Sequence, residues 1–168
     1  GLHAFEVDAG LTYLEHEPPA NVLSVPLYAE RYVFLVRRGS GFDDHAVIGW
    51  EEAATQDLCL LHQGMQYRRI LDERLAAQGL AVAPRATADS HFALFAMVHS
   101  GAFATIVPDG YARFMAGVEW ARFVPFDAPE EARRVGLVVI NRDPMGPMAR
   151  AALAAARVLE PLALRPVF

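Results

Sequence analysis

The sequence contains no lysine, and all fifteen of its basic residues are arginines. Twenty acidic residues outnumber them, giving a net charge of −5 with histidine neutral. No basic run exceeds two residues (Arg37-Arg38, Arg68-Arg69 and Arg133-Arg134). A surface that grips nucleic-acid phosphates is normally basic over at least one face, so these residues are a poor candidate for direct nucleic-acid contact. Cys59 is the only cysteine, which excludes an intrachain disulfide and makes a reducing cytoplasm the expected location. No apolar run reaches the roughly 18 residues of a membrane span, so no membrane partner is expected. The chain starts without Met and lacks a signal-peptide pattern, so it is read as a fragment. G-x-S-x-G, P-loop and dinucleotide-binding fingerprints are all missing. Asp89-Ser90-His91 has the residue types of a catalytic triad, but neighbours on one helix cannot meet in triad geometry. No enzyme activity and no cofactor are expected.

What is present is a large apolar fraction, 54%, against 21% charged residues. That composition supports a buried core and argues against disorder. A length of 168 residues suits one domain or two small lobes. Short apolar runs predict strands over 9–14 (buried on both faces), 22–27, 32–36, 58–61, 82–87, 103–107, 121–125 and 135–141. Between them, spacing predicts helices over 50–55, 65–78, 90–99, from 110 to about 115, and over the alanine-rich 148–159, which Pro161 limits. Gly79 reads as a C-terminal cap, and Asp89 or Ser90 as an N-cap. Glu17–Asn21 is a turn-rich break.

Strands that alternate with helices imply an α/β fold with mixed sheets flanked by helices. Two joints, near 37–41 and 123–131, divide the chain. One lobe would comprise 1–40 with 124–168, and the other 41–123. Two crossings between lobes make a hinged clamshell with a cleft suited to a small ligand.

Several segments are candidates to line that cleft. His62 to Gln66 joins a buried strand to a helix, and amides at a helix start are unpaired and suit a carboxylate or phosphate. Gln63, Gly64, Met65 and Gln66 are therefore candidate ligand residues; an ordinary loop with surface glutamines is the competing reading. Ser90, His91 and Phe92 open the next helix by the same logic, against plain capping by Ser90 and a core role for Phe92. Thr12 and Tyr13 face opposite sides of the first strand, so one points to the core and the other to the cleft or a helix. Val107 and Pro108 are candidates for an apolar wall, with core packing the stronger reading for Val107. His62, His91 and His99 do not form a metal motif, since His91 and His99 are eight residues apart. Cys59 reads as core. Glu51-Glu52 and Glu130-Glu131 read as solvated acidic faces.

Taken in order, the motifs resemble those of a known family. Asp8-Ala9-Gly10-Leu11-Thr12-Tyr13-Leu14, followed by Pro26-Leu27-Tyr28-Ala29-Glu30-Arg31-Tyr32-Val33-Phe34-Leu35-Val36, resembles the first lobe of LysR-type effector domains. Ser90 to Pro108 resembles the family's helix, glycine, strand and proline pattern. Gly136 to Ile140 with its alanine-rich helix resembles the closing strand and helix. The resemblance covers essentially the whole chain, with Phe103 standing where relatives usually have a second glycine. It implies a periplasmic-binding-protein-like (type 2) clamshell that binds a small effector, and the two helix starts facing the cleft make an anionic one the expectation. It places residues 62–66 at the family's effector loop and Thr12 at a polar contact. It further implies a homodimer or homotetramer, DNA contact through an N-terminal winged helix-turn-helix outside these residues, and RNA polymerase as a further partner. Gly1–Phe5 would then end a helix of the first lobe. A transport-type solute-binding protein with the same clamshell and a small α/β enzyme are the alternatives; the first needs an export signal, the second a convergent catalytic set.

Overall fold

The computed structural model describes residues 7–14, 21–128 and 132–159. The expected helix end at 1–5, most of the break at 17–21, the acidic link over 129–131 and the proline stop at 161 lie outside them. The chain divides into two compact units, Gly1–Arg31 with Glu130–Val167, and Tyr32–Pro129.

The first unit holds strands β1 (Ala9–Tyr13) and β2 (Val22–Glu30); its later segment adds the strand Arg133–Ile140 and the helix Pro147–Leu159. In chain order these last two are β8 and α5. β8 is the central strand, antiparallel to β1 on one side and β2 on the other. α5 closes one face of the sheet, with Ala149, Leu153 and Ala156 packed on Val25 and Val139. β1 is not buried on both faces as its apolar run predicts: Leu11 is 66% exposed. The strand is paired on the β8 side alone among the described residues, and an edge strand cannot be covered as a central one is. β2 runs three residues beyond its predicted end at Leu27. A register shift between Pro26 and Tyr28 lets the strand continue past a proline that cannot donate to a ladder.

The second unit contains β3 (Tyr32–Arg37), α1 (Trp50–Ala54), β4 (Cys59–Leu61), α2 (Gln66–Ala77), β5 (Ala86–Ala88), α3 (His91–His99), β6 (Thr105–Pro108), α4 (Gly110–Phe114) and β7 (Ala121–Pro125). β4 and β5 are parallel, while β3 is antiparallel to both β6 and β7. A parallel bridge, Leu58 to Ala104, sets β4 beside β6. The strand order is therefore β5-β4-β6-β3-β7, a mixed sheet. Val33, Leu35, Val98, Val107, Met115 and Ala121 form its core cluster.

Because β3 pairs with both β6 and β7, these strands belong to this unit. The unit boundaries consequently fall at 31/32 and 129/130; the second lies inside the acidic joint expected over 123–131, whereas the first precedes the glycine-bearing joint at 37–41. β5 is half its predicted length: 82–84 are not strand, because Pro84 interrupts the run. α2 ends in a Schellman arrangement, with Leu80 N–H donating to Leu75 O at 2.9 Å and Gly79 at φ 74°.

Gly136 lies at the crowded centre of the first unit. A Cβ there would collide with the carbonyl oxygen of Val25 and with Leu14 Cδ1. Backbone on one side leaves no flexible end to yield. Gly136→Ala is expected to destabilise the protein by about 2–3 kcal/mol, measured as a fall in the chemical-denaturation midpoint. Gly39→Ala, where an added Cβ meets nothing, should cost about 1 kcal/mol from its positive φ alone.

Candidate functional site

The parallel strands bring three segments to one edge of the second unit's sheet. β4 ends in the loop 62–65 and α2, β5 ends in Ser90 and α3, and β6 ends in Pro108 and α4. The chain leaves β4 toward β5, then returns past β4 to form β6. The gap between the carboxyl ends of β4 and β6 is therefore where the strand order reverses, which is where ligands bind in open α/β sheets.

The loop is tightly built. His62 N–H donates to Ala88 O at 3.0 Å, holding the end of β4 to β5. Gly64 N–H donates to His62 Nδ1 at 3.2 Å, and Met65 N–H to His62 O at 3.0 Å. These two amides are already satisfied within the turn. The donors left to a ligand are those of the first turn of α2. Its N-cap is Met65, which makes no side-chain cap bond. Gln63 and Gln66 are exposed.

α3 begins differently. Ser90 accepts from Ala93 N–H at 3.2 Å, so its hydroxyl acts as a helix cap and Asp89 does not. Phe92 is 85% exposed, which overturns a core role for it. His91 is half-buried and its ring lies among Tyr67, Phe95 and Tyr111, with centroids 5.5, 6.4 and 4.8 Å away. Its Nε2 is buried without a hydrogen-bond partner. Burial pushes the His91 pKa below its ordinary value of 6.5, so the ring is neutral near pH 7.

Val107 is fully buried in the core cluster, as its apolar run predicts. Pro108 is buried beside it. Thr12 and Tyr13 belong to the first unit, on β1 opposite Gly136 and Val135. The Tyr13 hydroxyl reaches across β8 and donates to Glu30 Oε1 on β2 at 2.5 Å. Gly101 and Phe103 lie at the start of β6, the opposite edge from the three loops. There Phe103 lines a separate hollow with Phe42, Thr55 and Asp57. The aromatic residue therefore lies away from the three loops at the carboxyl ends of β4, β5 and β6.

Two residues that sequence reasoning passed over sit closest to the loop. Tyr67 donates its hydroxyl to Ile106 O at 2.5 Å. Arg68, one of the Arg68-Arg69 pair, is only 2% exposed; it donates from Nη1 to Leu61 O at 3.0 Å and from Nε to Asp72 at 2.7 Å. Helical spacing held the signal, because Arg68 stands three and seven residues before the buried Leu71 and Leu75. Among the described residues, no group of three or more His, Cys, Asp or Glu side chains could hold a metal ion, and no helix is long and apolar enough to cross a membrane.

The model of the LysR substrate-binding domain family matches residues 1–159. The chain belongs to that family. Its members are domains of transcriptional regulators, and its fold is the periplasmic-binding-protein-like type 2 fold. Among solved structures, the effector-binding domain of QuiR in complex with shikimate superposes with a TM-score of 0.78 at 15% identity, covering 98% of this chain and 77% of that one. A probable transcriptional regulator from Pseudomonas aeruginosa gives 0.73 at 19%, with 95% of this chain covered. A reduced form of OxyR from N. meningitidis gives 0.73 at 22%, covering 95% of this chain and 73% of that one. The LysR-family chain spans 51% of the length of the P. aeruginosa regulator. A comparison with curated proteins gave no match.

Two chemical outcomes follow. A histidine held neutral in the native state makes unfolding proton-coupled: below pH 6.5 the unfolded chain takes up a proton that the native chain resists. Its contribution to stability is full above that pH and declines as the pH falls below it. His91→Phe should flatten the loss of denaturation midpoint between pH 7.5 and 5.5 relative to wild type. Cys59 is buried, with Sγ 3.2 Å from Met97 Sδ, and burial raises its pKa. Its reaction with a thiol reagent at pH 7.5 should proceed at the rate of unfolding and become immediate in denaturant.

Proposed function

We propose that this chain is the effector-sensing domain of a LysR-type transcriptional regulator, and that it binds a small metabolite anion at the loop edge of the second unit. The observation that carries the reading is the uncapped first turn of α2 at the β4/β6 reversal point. Helix-start amides carry partial positive charge, and a carboxylate there is stabilised by both the dipole and direct hydrogen bonds. Gln63 and Gln66 add amide donors and acceptors, Phe92 offers an exposed apolar face, and Pro108 closes the end of β6. Ser90, occupied as a cap, offers its remaining hydroxyl capacity.

In the complete regulator, ligand binding here shifts the populations of a homodimer or homotetramer, and DNA is read by a separate N-terminal winged helix-turn-helix. RNA polymerase is the downstream partner. Such a shift requires the effector to bind one arrangement better than another. The domain binds stoichiometrically and does not turn its ligand over.

A thermal-shift screen tests the chemistry. Metabolite carboxylates and phosphates are compared with neutral and cationic compounds of similar size. A true effector at a hundred times its Kd should add about 2.7 kcal/mol of stability, or roughly 5–10 °C in Tm. Stabilisation by cations or wholly apolar compounds alone would overturn the anionic reading. The site is tested with Gln66→Pro, which deletes the first amide donor of α2. Proline suits the first helical position, and Met65 at φ −84° and ψ 136° already has the extended backbone proline requires before it. The variant should keep its fold and lose about 1.5–3 kcal/mol of anion affinity, more than Gln66→Ala loses.

A further inference from the structure

We infer that Arg68 is the residue that positions the 62–66 loop, because it supplies Leu61 O with the donor that β6 does not. At the single bridge between β4 and β6, Ala104 N–H donates to Asp57 O at 3.0 Å and Cys59 N–H donates to Ala104 O at 2.9 Å. Continued two residues at a time, that parallel ladder would ask Ile106 O to accept from the amide of Leu61, and Leu61 O to accept from the amide of residue 108. Residue 108 is proline and has no N–H. The pairing already ends at the isolated Leu58/Ala104 bridge, before Pro108 is reached. Instead Tyr67 occupies Ile106 O and Arg68 occupies Leu61 O.

The second of these bonds reaches the loop. Leu61 is the last residue of β4 and is fully buried. Fixing its carbonyl fixes the peptide plane that leads into His62. Both His62 O and His62 Nδ1 then accept from the loop, from Met65 and Gly64 respectively. Arg68 is well suited to this task, since Asp72 holds its Nε at 2.7 Å and orients the planar guanidinium. A positive charge that is 2% exposed and held by one partly exposed carboxylate also favours an anion at the adjoining helix start.

The inference deepens the proposed effector site, but its test does not require a ligand. Amide hydrogen exchange is measured by NMR at Gly64, Met65 and Arg69 in the wild type, Arg68→Met, Arg68→Lys and Leu75→Ala. Leu75 is buried on the same helix, so its truncation reports global destabilisation without touching the loop. Arg68→Met is expected to speed exchange at the three amides at least tenfold more than it does in the rest of the second unit. Arg68→Lys, which can still donate to Leu61 O, should recover part of that protection. Leu75→Ala should raise exchange uniformly. If loop exchange in Arg68→Met rises only in step with the rest of the unit, or if lysine gives no recovery, Arg68 does not position the loop. If Arg68→Met fails to fold, the lysine variant alone decides by the same comparison. Loosening of the loop in a protein that no anion stabilises would leave the positioning role intact and overturn the effector reading instead.

Discussion

Two backbone carbonyls, that of Leu61 at the end of β4 and that of Ile106 within β6, lie on buried strands that have stopped pairing with each other, and the loop edge of the second unit depends on how they are met. A buried acceptor left without a donor costs about 1–3 kcal/mol. Tyr67 and Arg68, consecutive on α2, supply the donors. They thereby anchor the start of α2 to two strands at once. The same two bonds leave β4 and β6 joined at one bridge, with the helix start set over the gap. Stability and a candidate binding surface arise from one arrangement.

Around this anchor the aromatic residues form a connected row. Tyr67 meets Tyr32 at 5.6 Å and His91 at 5.5 Å, and Tyr32 meets Trp50, which stacks on Phe126 at 3.7 Å. Large rings in edge and stacked arrangements bring both apolar area and defined geometry. The row links the first turns of α2 and α3 to the strand that opens the second unit and to the segment that follows β7. A neutral His91 fits within it, because a charged imidazole would lose hydration with no carboxylate given in return.

The alternation of short apolar runs and amphipathic helices was readable in the residues, and so were most element positions. α2, α3 and α5 lie within two residues of where spacing puts them, since periodicity reports burial of a face regardless of what covers it. Strand ends were less legible. Pro26 and Pro84 each act on a strand, but in two ways: a register shift and a shortened strand. A sequence shows the missing N–H but not which partner carbonyl is thereby left over. Leu11 and Phe92 show the same limit for burial, as their hydrophobicity says nothing about whether a neighbour exists to cover them.

Family membership, the α/β class and the location of the loop candidates were determined by the order of motifs along the chain. Local chemistry alone sets these features: turn residues, apolar periodicity and helix starts are properties of neighbouring residues. The tertiary structure decided which helix start is open and which is capped, where the units divide, and that Phe103 lies on the far edge from the loops. It also placed Arg68 as a buried donor to Leu61 O. Those outcomes depend on strand register, which pairs residues far apart in the chain, such as Leu58 with Ala104 and Tyr32 with Pro108, and is settled only when the sheet forms.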